Sequence, residues 1–295
     1  MTRSRSGRRA RPRRRRPASF GLILAAALLF AAPGAPAGQE QASGPGQPAD
    51  HLSGRYVISA HVVFLGNIGA AGSMVIESGR EKGDGGLRKT LRLAGASSPE
   101  QAKKNRDFSG EFSLLKVFPL RPDGSVDGQA EEEDRWTESS SEGFIKTNKK
   151  SQSERITFFP DHAVVVRKDK PDVRVEGSYG CLLSPLEYLM DHDIKVGQVI
   201  DIPFLLNAVP RIFRMEVAGL TTVSPLKAPA YEVVLYAVDK AGGPDKASKE
   251  VWRKKGNLRI WFCKQGPYRN KMLKMKIKFR WYLSLVFDLQ KNPTG

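Results

Sequence analysis

Histidine and cysteine are scarce in this chain, at four and two residues in 295. His51, His61, His162 and His192 are scattered, and no second pair of ligands has the spacing of a zinc site. The nearest approach is Asp191-His192-Asp193, where adjacent side chains diverge, so the triplet reads as a polar turn. The four consecutive acids Glu131 to Asp134 lack the alternating ligands and turn glycine of a calcium loop and read as a solvated loop. No glycine-serine elbow or phosphate-binding loop is present, and no cofactor is implied. The apolar run Phe20 to Ala32 has 13 residues, against about 20 needed to span a bilayer.

Acidic residues are missing altogether from the first 37 positions, which carry nine arginines. A basic head, a short apolar run and the small-residue site Ala35-Pro36-Ala37 follow one another in the order of a secretory signal peptide. The expectation is export to the periplasm with cleavage near Ala37. No cysteine stands at that site for a lipid anchor, and the residues after Arg15-Arg16 are Pro17-Ala18-Ser19 rather than a bulky apolar pair. Removing the nine arginines from a net charge of +17 leaves +8 on 258 residues. That charge suits anionic envelope surfaces or lipid headgroups. Nucleic acid is a poor partner for an exported protein. An oxidising compartment would allow a disulfide between Cys181 and Cys263.

Residues 38–52 are rich in Gly, Pro, Gln and Ala and read as a flexible linker. From residue 53 to 290 the texture is that of a single β domain. Short runs rich in Val, Ile, Phe and Tyr alternate with turn residues, as in Tyr56 to Phe64, Ala70 to Glu77, Arg155 to Phe159 and Ala163 to Val166. Lys240 to Lys249 reads as a Gly, Lys and Asp loop. One short helix is expected at Ser184-Pro185-Leu186-Glu187, where Ser184 and Glu187 have the spacing of a capping box and Pro185 takes the first helical position. The last run places Leu273, Met275, Ile277 and every second residue to Leu289 on one face. Seventeen residues would reach roughly 56 Å, so a bend, bulge or tight hairpin is expected near Arg280 to Tyr282. The fold class is therefore all-β: a curved antiparallel sheet or incomplete barrel with one short helix, preceded by a signal peptide.

Lys255 to Trp261, then Arg269 and Lys274-Met275-Lys276-Ile277, together with Ser184 to Leu189, Val196-Gly197 and Tyr56 to Met74, resemble the DUF3108 family of exported bacterial proteins of unknown function. The resemblance covers about residues 52–290 and implies a β fold. The chain departs from the family at Lys264-Gln265-Gly266, Lys271, Arg280-Trp281 and Met190.

Ser178-Tyr179-Gly180-Cys181, with His162 upstream, loosely resembles the serine-histidine-glycine-cysteine motif of L,D-transpeptidases. Tyr179 replaces the motif's histidine, and a thiol without a base is a poor nucleophile. The alternating Lys274, Lys276, Lys278 and Arg280 share one strand face and could meet an anionic polymer. The sequence points first to a non-enzymatic periplasmic protein that binds an apolar ligand or an envelope partner. A module that binds anionic envelope polymers or lipid headgroups, in peripheral contact with the membrane, is the alternative. A cysteine-dependent transpeptidase-like enzyme is the third reading.

Overall fold

A computed structural model describes residues 52–290 apart from 64–65, 84, 104–106, 148–150, 240–253 and 281. The expected signal peptide, most of the linker and the Lys240 to Lys249 loop lie outside the described residues.

Fourteen strands form one antiparallel sheet. The first eight are β1 (Leu52–Val62), β2 (Gly66–Gly83), β3 (Gly86–Ser97), β4 (Phe108–Phe118), β5 (Glu138–Thr147), β6 (Ser151–Phe158), β7 (His162–Arg167) and β8 (Val173–Glu176). The others are β9 (Val199–Leu206), β10 (Val209–Val223), β11 (Ala228–Val238), β12 (Leu258–Cys263), β13 (Lys271–Arg280) and β14 (Leu283–Leu289). Helices are few among the described residues: α1 (Pro99–Ala102), α2 (Gly128–Glu132) and α3 (Ser184–Asp191). The all-β expectation holds.

The long final run is a hairpin. β13 and β14 pair with Met275 opposite Phe287 and Ile277 opposite Leu285, turning at the position the length argument required. The turn keeps both strands in phase, so the odd residues Ile277, Leu285, Phe287 and Leu289 all face inward. A bulge between Trp261 and Phe262 breaks the alternation at the start of β13, where Met272 and Leu273 are both buried.

Strands β1 to β8 and β9 to β14 are two meanders joined where β1 pairs with β14. The free edges are therefore β8 and β9, which follow each other in the chain. The sheet curls until these edges meet. Gly180 N–H donates to the Pro203 carbonyl at 2.9 Å, and Leu205 N–H donates to the Gly180 carbonyl at 3.1 Å. Farther along the seam, Arg167 donates to the Asn207 carbonyl at 3.1 Å. The seam is thus closed by the β8–β9 connection and a few side chains, not by a strand ladder. Bulges in β2, β10 and β13 supply local bend and twist.

The inner face forms one continuous core drawn from both meanders and α3. Phe204 of β9 and Phe213 of β10 stack at its centre, with ring centroids 4.0 Å apart. Burying each ring contributes up to about 3 kcal/mol, which favours a β9 edge that rolls inward rather than lying flat.

Candidate functional site

α3 lies across the barrel interior. The chain enters it through Gly180, where an added Cβ would meet Ser184 Oγ at 2.3 Å. Ser184 Oγ accepts from Cys181 N–H at 2.9 Å, and Pro185 stands in the first turn of the helix. Leu186 and Leu189 turn into the core. The capping box expected from Ser184 and Glu187 does not form, because Ser184 is already inside the helix and Glu187 serves another partner.

Three lysines from the barrel wall hold this plug. Lys116 of β4 reaches Glu187 at 2.9 Å and Asp134 at 2.8 Å. Lys89 of β3 pairs with Asp191. Lys264, after β12, donates to the Leu189 and Met190 carbonyls at 3.1 and 3.3 Å and to Asn270 Oδ1 at 2.9 Å. It satisfies carbonyls that a helix end leaves without intrahelical partners and places positive charge at the negative pole of the helix. Burial pushes the Glu187 carboxyl up against the pull of Lys116. Burial would lower Lys116, but the carboxylates of Glu187 and Asp134 outweigh it and hold the lysine charged. Lys264 is lowered by its own burial.

The plug divides the interior into two unlike spaces. On the side of Glu187, Met190 and Asp191 is an open vestibule of about 950 Å³, walled by Trp136, Tyr179 and the charged groups of β3, β4 and α2. On the side of Leu183, Pro185 and Leu186 is a cavity of about 130 Å³. Its walls come from β2 to β4 and from β10 to β13, and Met74, Phe112, Phe213, Ile260, Met272 and Met275 carry them. Every lining side chain is apolar, and Gly95 and Gly110 supply the remaining surface. An apolar cavity of about 150 Å³ holds a benzene ring, so this one suits a ring or a short alkyl segment.

The acidic run falls partly in α2 at the vestibule rather than in a solvated loop. Asp127 caps α2 by accepting from the Gln129 and Ala130 N–H groups, Glu131 pairs with Arg80, and Asp134 pairs with Lys116. No group of three His, Cys, Asp or Glu among the described residues could hold a metal ion.

Cys181 and Cys263 are both free, buried thiols and are not joined. Burial pushes the Cys181 thiol up, and its sulfur accepts from the Leu183 N–H at 3.3 Å. Cys263 donates to the Gln265 carbonyl at 3.0 Å. His162 stacks on Phe159 and contacts Asp161 at 2.7 Å. The structure therefore does not bring these elements of the transpeptidase-like motif into one constellation.

Of the basic stripe, Lys274 pairs with Asp288 at 3.2 Å, Lys276 is half-buried opposite Arg259, and Lys278 is exposed. The Arg280 side chain lies outside the described residues.

The inner face also carries polar residues that motif searching passes over. Lys116 is in phase with Phe112 and Leu114 on β4. Glu154 is in phase with Ile156 and Phe158 on β6, and Arg167 with Ala163 and Val165 on β7. The signal was present: a charged residue on the apolar phase of a strand.

No family model matches this chain, and no curated protein matches it. Among solved structures it is similar to the crystal structure of a β-barrel-like protein of domain of unknown function DUF1849 from Brucella abortus. The TM-score is 0.47 at 12% identity, over 82% of this chain and 96% of that one.

Proposed function

We propose that this protein is an exported, non-enzymatic binding protein of the periplasm that takes an apolar group into the cavity beside α3. The observation that carries the reading is the lining: two facing walls and a plug helix converge on about 130 Å³ without one polar side chain. Cores normally close such a space, because the surrounding atoms forfeit dispersion contacts across it. Here three lysines hold the plug at a fixed depth, so the walls do not collapse onto one another. The size selects a ring or the end of an alkyl chain. The polar vestibule lies on the opposite face of the plug and takes no part.

Methionine methyl groups report directly on the site. Met74, Met272 and Met275 line the cavity, whereas Met190 faces the vestibule. Titration of ¹³C-methyl-methionine protein with 1-octanol should give saturable shifts at the first three and little at Met190. Ile260→Trp, which fills the cavity, should abolish them. Unsaturable shifts, or the same shifts in the filled variant, would contradict the proposal.

A further inference from the structure

We infer that the vestibule is a second binding site, for an organic polycation: an alkyl chain that carries separated ammonium groups. The plug divides it from the apolar cavity, so the two sites stand or fall independently.

The charge of the vestibule runs against that of the chain. The chain as a whole is +17, yet the walls of this space carry six carboxylates and only three cations. All three cations are already engaged. Arg80 pairs with Glu131, Lys89 lies between Asp191 and Glu131, and Lys116 holds Glu187 and Asp134. Glu132 of α2 and Asp193 beyond α3 are exposed on the walls, with no hydrogen bond or ion pair among the described residues. Lys264 attracts Asp193, but its ammonium is bonded to the two α3 carbonyls and to Asn270. A concave surface with an excess of one sign of charge gathers ions of the other.

Free acceptors also stand deeper in the space. The Glu187 side chain is 12% exposed and gives Oε1 to Lys116, while its Oε2 has no partner among the described residues. Ser139 of β5 lies between Lys116 of β4 and Phe158 of β6 in register, and all three line the vestibule. Ser139 is 2% exposed, and its hydroxyl has no partner among the described residues. Polar groups at such depth are nearly always bonded, so these two mark a place where a ligand completes them.

An ammonium supplies what is missing, since it brings three N–H donors and no acceptor. Trp136 and Tyr179 add aromatic rings, whose faces attract a cation and cover an alkyl stem. Tyr188, on the same wall, is fixed by stacking on His192 with ring centroids 4.1 Å apart. The free acceptors sit on α2, β5, α3 and the segment after α3. Charge spread over several elements matches several ammonium groups on one chain rather than one compact ion. A space of about 950 Å³ has room for such a chain.

Met190 lines the vestibule, so ¹³C-methyl-methionine protein reports on this site as well. Spermidine and tri-lysine are the cationic probes, and maltotriose is the neutral one. At least one cation should give saturable shifts at Met190, with little change at Met74, Met272 and Met275. Tighter binding of spermidine identifies a free polyamine, and tighter binding of tri-lysine a basic peptide. Raising the salt from about 0.05 to about 0.5 M should weaken binding. Glu132→Gln and Asp193→Asn should each weaken it by about two- to five-fold, the range for an exposed charge pair. Both residues are exposed and unpaired, so the melting temperature should stay at the wild-type value. Silence at Met190 from both cations overturns the inference and leaves the apolar cavity untouched. So does maltotriose binding as tightly as either cation, or cation binding that salt and both substitutions leave unchanged.

Discussion

Replacing Lys116 by methionine should destabilise the barrel by about 3 kcal/mol at pH 7, within the range for removing one partner of a buried pair. Its side chain is 13% exposed and that of Glu187 is 12% exposed, so neither charge has much water to fall back on. Without Lys116, Glu187 keeps only the more distant attraction of Lys89, while Asp134 repels it. Urea unfolding followed by tryptophan fluorescence would measure the loss, with the slope checked for constancy. The double variant Lys116→Met/Glu187→Leu should recover most of it, because neither charge is then left unpaired. The pH dependence gives a second reading. Burial already holds the folded pKa of Glu187 above its unfolded value, and removing the lysine raises it further. A carboxyl raised in this way penalises folding above its folded pKa and stops doing so as it takes up a proton. The gap between wild type and variant should therefore narrow as pH falls from 7 toward 4. A loss below about 0.5 kcal/mol, the size of an ordinary surface substitution, would refute the reasoning, as would a gap independent of pH.

Lys264→Ala removes the cap from α3, and hydrogen exchange of the amides in its last turn should accelerate while the strands stay protected. Gly86→Ala places a Cβ 2.3 Å from the Phe118 carbonyl at a φ of +137° and should lower the melting temperature by several degrees, read by circular dichroism. Both cysteines should resist iodoacetamide in the native protein and react fully in urea, with no reductant needed. A thiol count below two in the unreduced, unfolded protein would contradict their free state.

The strand architecture was legible where period-2 patterning survives, as in β4, β6 and β7; β11 instead ends in six consecutive buried residues, Val233 to Val238. The final run is the clearest case: its alternation and its excess length called for a bend, a bulge or a tight hairpin near Arg280 to Tyr282, and the β13–β14 hairpin is the one that forms. β8 was missed because Val173–Glu176 is four residues long and buries no side chain fully. The capping box at Ser184 failed for a local and a tertiary reason: Ser184 lies inside the helix with its Oγ on the Cys181 N–H, and Lys116 of β4 takes Glu187, which no local pattern encodes. The plug lysines and the Glu154–Arg167 pair were readable in part, as charges on the apolar phase. Which charge meets which depends on the curl of the sheet, and that follows from the seam rather than from spacing. The cysteine pairing was undecidable from a separation of 82 positions. The structure leaves both thiols bonded to their own local backbone.

On the proposed reading, the space beside α3 is a dry apolar cavity that accepts a ligand. A crystal pressurised with xenon tests it most directly, since xenon enters dry apolar cavities. One xenon site is expected among Met74, Leu186, Ile260 and Met272, with no ordered water there in the unpressurised crystal. Ordered water in that space, or walls closed on it with xenon bound only elsewhere, would contradict it.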